Sequence, residues 1–149
     1  MARLRDDEMR AWQALLHTYH DVIRTLDREL RAEHDLTLAS YDVLVRLARA
    51  PGRSLRMTEL AERVLITPSG VTRMVDGLVA RGLVRRRPAP DDGRVTLASL
   101  TAAGLGVVRA AAQVHLRGIK EHFTGKLSRP QLHAIASALE VVAGPHEPH

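Results

Sequence analysis

The chain has 149 residues, of which 45% are apolar and 26% charged, with a formal net charge of +5 and no cysteine. This composition predicts one globular unit with a hydrophobic core, and it excludes disulfides, thiolate catalysis and thiol-based oxidant sensing. The charged start MARLRDDEMR, and the lack of any apolar run near the roughly 20 residues of a membrane span, argue against a signal peptide and a membrane partner. A cytoplasmic protein is therefore expected.

Among the 22 basic residues only Lys120 and Lys126 are lysines, and the rest are arginines, which suit bidentate contacts with phosphates and bases. A GC-rich genome would produce the same bias, so the charge points only weakly to a polyanionic partner. The aromatic residues are few, which argues against a single-strand binder that stacks bases on rings. They are Trp12, Tyr19, Tyr41 and Phe123.

Helical periodicity dominates the first third of the chain. Apolar residues at steps of three and four predict a first amphipathic helix. They are Trp12, Leu15, Leu16, Tyr19, Val22, Ile23, Leu26 and Leu30. A second helix is expected from an N-cap at Thr37 to the Pro51-Gly52 stop.

Two shorter helices are predicted next. Thr58 is the expected N-cap of the first, with Glu59 in its first turn. The second has Thr67 as its cap, Pro68 as its first residue and Gly82 at its end.

The remainder of the chain predicts a hairpin and two helices. Residues 84–87 and 95–100 favour strands and flank a PAPDDG turn. Thr101 caps the next helix, Ser128 and Gln131 form a capping box for the last one, and residues 144–149 are expected to fray. The fold is therefore mainly α with a small β-wing. The apolar stripes of the terminal helices favour packing on each other and on a second copy of the chain.

The segment from Thr58 to Arg81 has the pattern of a helix-turn-helix. A recognition helix enters the major groove by its N-terminus, where Ser69, Thr72 and Arg73 share roughly one face and can bond phosphates and bases. With Pro68, these are the predicted DNA-binding residues of this helix. An ordinary helical hairpin with a polar outer face would show the same pattern.

A hairpin directly after a helix-turn-helix is a wing, whose tip can enter a minor groove. Four arginines surround this one, and Asp91 or Asp92 could hold the last of them by a charge-assisted bond. The predicted DNA-binding residues of the wing are Arg85, Arg86, Arg87, Asp92 and Arg94.

These segments resemble the MarR family of bacterial transcription regulators. The matching stretches are LTLASYDVLVRLA, MTELAERVLITPSGVTRMVDGLVARGLVRR and DDGRVTLASLTAAG, within a resemblance that runs from about residue 8 to 143 and is densest from Leu36 to Gly104. The family often has Asp-Arg-Arg at the wing tip, whereas this chain has Asp92-Gly93-Arg94. Gly93 removes one phosphate contact, while Arg94 keeps the position expected to enter the groove.

The resemblance implies a homodimer that binds double-stranded DNA at a palindromic site, usually as a repressor relieved by a small ligand. Residues 1–144 would form one unit, with a winged helix-turn-helix lobe at 36–101. Residues 6–35 and 102–143 would form the dimerisation helices.

The family often binds aromatic carboxylates or phenols between its terminal helices and its DNA lobe. The resemblance therefore implies an aromatic or anionic effector, for which the candidate pocket residues are Trp12, Tyr19, His20, Tyr41 and Asp42; packing in the core or at a subunit contact is the simpler explanation for each of the first four. Asp42, Arg73 and Arg85 also align with the positions of a urate-responsive branch, although the extra N-terminal helix of that branch is absent.

Three other classes of function differ from this one in the residues that they require. The histidine pairs His17/His20 and His115/His122 have loose spacing for zinc, so neither a metal nor another cofactor is expected. No nucleophile elbow, phosphate loop or paired carboxylates point to an enzyme. A winged helix used for chromosome architecture or protein contact, without sequence preference, remains the main alternative.

Overall fold

The computed structural model of the chain describes residues 3–64 and 68–144. Within these ranges the chain forms six α-helices, three β-strands and two single turns of 3₁₀ helix, Pro51–Arg53 and Thr124–Lys126. The helices are α1 (Asp6–His34), α2 (Leu38–Arg49), α3 (Met57–Arg63), α4 (Pro68–Ala80), α5 (Ala102–His122) and α6 (Arg129–Ala143). The strands are β1 (Ser54–Arg56), β2 (Val84–Pro88) and β3 (Thr96–Leu100). The predicted mainly α fold with a small β-wing is confirmed.

The chain divides into two compact units. One comprises Met1–Thr25 and Leu116–His149, and thus holds the N-terminal part of α1, the end of α5 and α6. The other is Leu26–His115, which contains α2, α3, α4 and the sheet. The predicted DNA-binding lobe at 36–101 falls wholly within this second unit.

The strands form one antiparallel sheet in the order β1-β3-β2. The predicted hairpin is β2 and β3, with β3 beginning at Thr96, one residue later than expected. β1 is not predicted by the sequence, because three residues are too few to show alternation. Its pairing with β3 joins Ser54 to Ser99, which is a contact between residues far apart in the chain.

The core of the second unit is built from the apolar faces of its helices and strands. α2 contributes Val43, Leu44 and Leu47, which are fully buried. α4 contributes Val71, Val75 and Leu78 at helical spacing, and the strands contribute residues such as Leu55, Val84 and Ala98. Because one face of α4 is fixed in this core, its opposite face is presented to solvent.

Most predicted helix ends are confirmed, and one is wrong. Thr37 Oγ1 accepts the Ser40 N–H at 2.9 Å. The Ser128–Gln131 capping box forms, with N···O distances of 2.8 and 3.4 Å. Thr58, in contrast, is not an N-cap, since α3 already begins at Met57. The reason is that the Glu59 carboxylate accepts the N–H of Arg56, at 3.1 Å, and so caps the helix two residues earlier.

The passage between α4, the wing and α5 depends on a threonine and two glycines. Gly82 has a φ of +71°, which favours glycine at the end of α4. Thr101 Oγ1 donates to the Gly82 carbonyl at 2.7 Å and accepts the Gly104 N–H at 3.0 Å, which confirms it as the cap of α5. A Cβ at Gly104 would lie 2.2 Å from the Leu83 carbonyl oxygen, so no larger residue fits there without displacement of the backbone.

Two predictions fall on parts of the chain that the structure does not describe. Thr67, the predicted cap of α4, lies outside the described residues, as do residues 145–149 of the predicted frayed tail. Pro68 is the first residue of α4, as predicted. In the described part of the chain, no helix combines the length and the apolar character needed to span a bilayer.

Candidate nucleic-acid interface

The solvent-facing side of α4 carries the side chains that the sequence singles out. Ser69, Thr72 and Arg73 are all exposed, whereas Val71 is buried between them. Arg73 makes no hydrogen bond or ion pair within residues 3–64 and 68–144. The N-terminal part of α4 therefore exposes two hydroxyl-bearing side chains, and the Arg73 guanidinium is available to a partner.

The tip of the β2–β3 hairpin presents Arg94 to solvent. The loop closes with the Ala89 N–H bonded to the Val95 carbonyl at 2.8 Å. Asp92 Oδ1 accepts the Arg94 backbone N–H at 3.0 Å and the Arg94 Nε–H at 3.2 Å. These hydrogen bonds lower the pKa of the Asp92 carboxyl, so it stays ionised and keeps orienting Arg94. The Arg94 side chain is 93% exposed.

Of the two aspartates that could hold Arg94, Asp92 does so and Asp91 has another partner. Asp91 Oδ2 accepts a hydrogen bond from Arg56 Nη2 at 2.8 Å. This ion pair links β1 to the wing loop. Arg56 is a residue of the site that sequence analysis missed, because its contact depends on the unpredicted strand.

The consecutive arginines of β2 alternate between the two faces of the sheet. Arg86 points to the α4 side, where its guanidinium binds the Asp76 carboxylate and the Thr72 carbonyl oxygen. The sequence predicts a DNA contact for Arg86, but its contacts fit a role in positioning α4 against the wing. Asp76, its partner on α4, is a second residue that sequence analysis missed.

Arg85 and Arg87 lie on the opposite face of the sheet and are exposed. Arg87 Nη2 donates to Ser54 Oγ at 3.3 Å. Arg85 has no hydrogen-bond or ion-pair partner among the residues that the structure describes. The three arginines thus form two sets, one holding α4 and the other facing solvent.

A further link secures the C-terminal end of α4. Arg81 donates to the Asp35 carbonyl at 2.6 Å and to the His34 carbonyl at 3.2 Å. The two carbonyl groups lie at the C-terminal end of α1, where the helix dipole favours a positive charge. No local pattern could have revealed this contact, because the partners lie 46 and 47 residues apart.

The predicted effector residues are distributed over both units. Trp12, Tyr19 and His20 belong to the first unit, and all three are exposed. Tyr41 and Asp42 belong to the second, where Tyr41 is buried and its ring centroid lies 4.9 Å from that of His115.

Asp42, Arg73 and Arg85, which align with the urate-responsive branch, form no ion pair with one another in the described part of the chain. Asp42 Oδ2 instead binds Arg46 Nε at 2.9 Å. The cavity of about 410 Å³ between α3 and α4 is lined by none of these residues; its lining is Met57, Thr58, Ala61, Glu62, Val71 and Thr72.

Histidines do not assemble a metal site in the described chain. Within residues 3–64 and 68–144, no three His, Asp or Glu side chains are placed to share an ion. His115 is instead a packing residue, whose Nδ1 is buried without a hydrogen-bond partner among those residues. Burial lowers the pKa of His115, while the nearby Asp42 carboxylate opposes part of that shift.

A short helix, a second helix with a polar exposed face and an antiparallel hairpin with a basic tip together define a winged helix-turn-helix, a class of DNA-binding protein. A sequence model described as MarR family matches residues 34–95. The multiple antibiotic resistance protein MarR of Escherichia coli K12 is 27% identical over 128 residues, which cover 86% of this chain and 88% of that protein.

Solved structures agree with this classification. Sco3205 of Streptomyces coelicolor, a MarR family transcriptional regulator in complex with DNA, has a TM-score of 0.90 and 31% identity over 99% of this chain and 92% of its own. A mutant MarR from E. coli complexed with operator DNA has a TM-score of 0.80 and 25% identity, covering 95% of this chain and 99% of its own. The chain belongs to the MarR family of transcriptional regulators. Because these relatives are regulators, the expectation that the chain is not an enzyme is confirmed.

The positioning role of Arg86 can be tested with Arg86→Gln, Asp76→Asn and the double variant. We expect each single change to lower the free energy of unfolding by up to about 1 kcal/mol, because the pair is partly exposed, and the double variant to lose less than the sum. DNA affinity should fall alike in both single variants. If Asp76→Asn left DNA affinity unchanged or raised it, while Arg86→Gln lowered it, Arg86 would contact DNA directly.

Proposed function

We propose that the chain is a repressor that binds double-stranded DNA as a homodimer at a palindromic operator and leaves it when a small ligand binds. The observation that carries this proposal is the pairing of two exposed cationic elements within one compact unit. Arg73 lies on the free face of α4 and Arg94 at the wing tip, and Arg86 joins the two elements. A chromosomal target requires the cytoplasmic location that the sequence favours.

The contacts expected with DNA follow from residue chemistry. Ser69 and Thr72, at the start of α4 after Pro68, would bond phosphates or bases in a major groove, and Arg73 would fork onto a guanine. Arg94, oriented by Asp92, would enter the adjacent minor groove, where the negative potential is concentrated. Sco3205 and the E. coli MarR mutant each form a complex with DNA, which supports DNA as the partner of this interface.

Selection from random duplexes tests the function most directly. We expect enrichment of a palindrome with half-sites about one helical turn apart, and an affinity that falls steeply with salt. Arg94→Ala should weaken binding about tenfold or more for all sequences, whereas Arg73→Ala should relax the preference at one position of each half-site. Arg109→Ala, an exposed arginine of α5, is the matched control and should change neither property.

The same selection separates the alternative function. An architectural or protein-binding winged helix would recover duplexes without any shared motif. It would also bind selected and random duplexes with equal affinity. Either result would reject sequence-specific regulation by this chain.

Dimerisation is supported by the apolar surface of the first unit. Trp12, Leu15, Leu16 and Tyr19 occupy one side of α1 and are 43–62% exposed, and Leu139 and Val142 of α6 are also exposed. Monomeric proteins rarely leave so much contiguous apolar surface in water, so a second copy is the expected cover.

Sedimentation equilibrium should therefore give twice the chain mass of 16.5 kDa. Leu16→Glu should shift the equilibrium to monomer, because the charge would have to be desolvated in the interface. Ala14→Glu, on the opposite side of α1, is the control and should remain dimeric. A wild-type mass of one chain at micromolar concentration would contradict the proposal.

The proposal includes relief of repression by an aromatic or anionic ligand. The rings of Trp12 and Tyr19, which the second copy is expected to cover, would hold such a ligand at the edge of that contact; Tyr41, His20 and Asp42 are the other candidates. Since Trp12 is the only tryptophan, its fluorescence reports directly on this region. We expect benzoate or phenol to change Trp12 emission over the same concentrations that release DNA. Release without a change in emission would place the ligand elsewhere.

A further inference from the structure

The solvent-facing side of the three-stranded sheet, which we call the outer sheet face, is basic and polar. Strand register sets its side chains in two rows across the sheet. One row runs from Arg85 through Ser99 to Ser54, and the other from Arg87 through Leu97 to Arg56. All of these residues are exposed or half-buried.

The other face of the same strands carries Arg86 and is otherwise apolar. Leu55, Ala98 and Val84 are buried there in the core of the second unit. Because strand residues alternate between faces, the arginines of the outer sheet face are directed away from the core and from α4. Their role is therefore separate from that of Arg86.

A hydrogen-bond chain connects the hydroxyls and one arginine of the outer sheet face. Arg87 Nη2 donates to Ser54 Oγ at 3.3 Å, and the hydroxyls of Ser54 and Ser99 are 2.7 Å apart. Ser54 Oγ can donate its single proton either to Ser99 Oγ or to the Gly52 carbonyl oxygen at 3.2 Å, and the Ser99 proton is available to an anion on this face when Ser54 donates to Ser99. Arg85, in the same row as both serines, has no partner of its own among the described residues.

The outer sheet face is continuous with the wing tip. Arg56 Nη2 binds Asp91 Oδ2 in the wing loop at 2.8 Å. The next residue of that loop, Asp92, orients Arg94. A polyanion that binds Arg94 could therefore also contact the arginines of the outer sheet face, which is continuous with the wing tip.

The dimensions of the outer sheet face fit a row of phosphates better than one small anion. Arg85 and Arg87 are two residues apart on β2, which separates them by about 7 Å along the strand. Arg87 and Arg56 lie on strands that flank β3, about 10 Å apart. The face also lacks an aromatic side chain, the usual anchor of a protein interface, and Leu97 is its only large apolar residue among those in the two rows.

We propose that the outer sheet face binds backbone phosphates of duplex DNA that flanks the operator, through Arg85, Arg87 and the Ser54–Ser99 hydroxyl pair. The proposal rests on the proposed function, since the wing must first engage DNA. These contacts would raise the affinity for DNA without changing the sequence preference, because phosphates carry no information about the bases.

The experiment compares two duplexes that carry the selected palindrome. One is trimmed to the motif, and the other extends it by about ten base pairs, one helical turn, of arbitrary sequence on each side. The proteins are the wild-type chain, Arg85→Gln/Arg87→Gln, and the control Arg28→Gln/Arg109→Gln, which removes the same charge from exposed helix positions. Circular dichroism melting verifies that each is folded.

We expect wild type and control to bind the flanked duplex several-fold more tightly than the trimmed one, whatever the flanking sequence. The Arg85→Gln/Arg87→Gln variant should lose most of this gain. Its slope of log affinity against log salt on the flanked duplex should fall by about 2 for each bound chain, as expected for two lost phosphate contacts. Ser99→Ala, which keeps the charge, should lose part of the gain.

Two results would overturn the proposal and leave the proposed function intact. In one, wild type binds both duplexes equally well, so no flanking contact exists. In the other, Arg85→Gln/Arg87→Gln keeps the whole gain, so flanking DNA is held elsewhere and the outer sheet face is left to an acidic protein partner. Failure of the wild type to prefer the palindrome over random DNA would instead reject the proposed function itself.

Discussion

The bond between Arg86 of the wing and two groups on α4, the Asp76 carboxylate and the Thr72 carbonyl oxygen, sets the geometry on which DNA reading would depend. A partly exposed ion pair contributes at most about 1 kcal/mol. Each buried apolar side chain of α4, such as Val75, contributes about 1.5–3 kcal/mol. Stability therefore comes from the core. Arg86 contributes orientation, because it ties the exposed side of α4, at Thr72 and Asp76, to the hairpin that carries Arg94.

The arginines around the wing thus divide into distinct roles by the face that they occupy. Arg86, on the inner face, is engaged within the chain, while Arg94 at the tip is oriented by Asp92 and remains exposed. Arg85 and Arg87, on the outer face, extend the positive surface away from α4. A run of three arginines on one strand must split in this way, because successive side chains point to opposite sides of a sheet.

Sequence reasoning recovered the elements whose signals are local. Each of these signals determines structure within a few residues. They are the helix periodicity, the Thr37 and Thr101 caps, the glycine at position 82 and the hairpin turn. It missed β1 and misplaced the start of α3, because both depend on partners that the local pattern does not show. The assignment of Arg86 to DNA did not anticipate Asp76 for a related reason: a run of arginines does not show that a carboxylate on another element binds one of them. The contact of Arg81 with the end of α1 is likewise long-range.

A crystal structure of the full chain on its selected duplex tests the central claim, that α4 and the wing act as one preset unit on adjacent grooves. The account predicts Arg73 in a major groove and Arg94 in the neighbouring minor groove of the same duplex, with Arg86 still bound to Asp76. It would be contradicted if Arg94 were turned away from the DNA, or if Arg86 had left Asp76 to bind a phosphate.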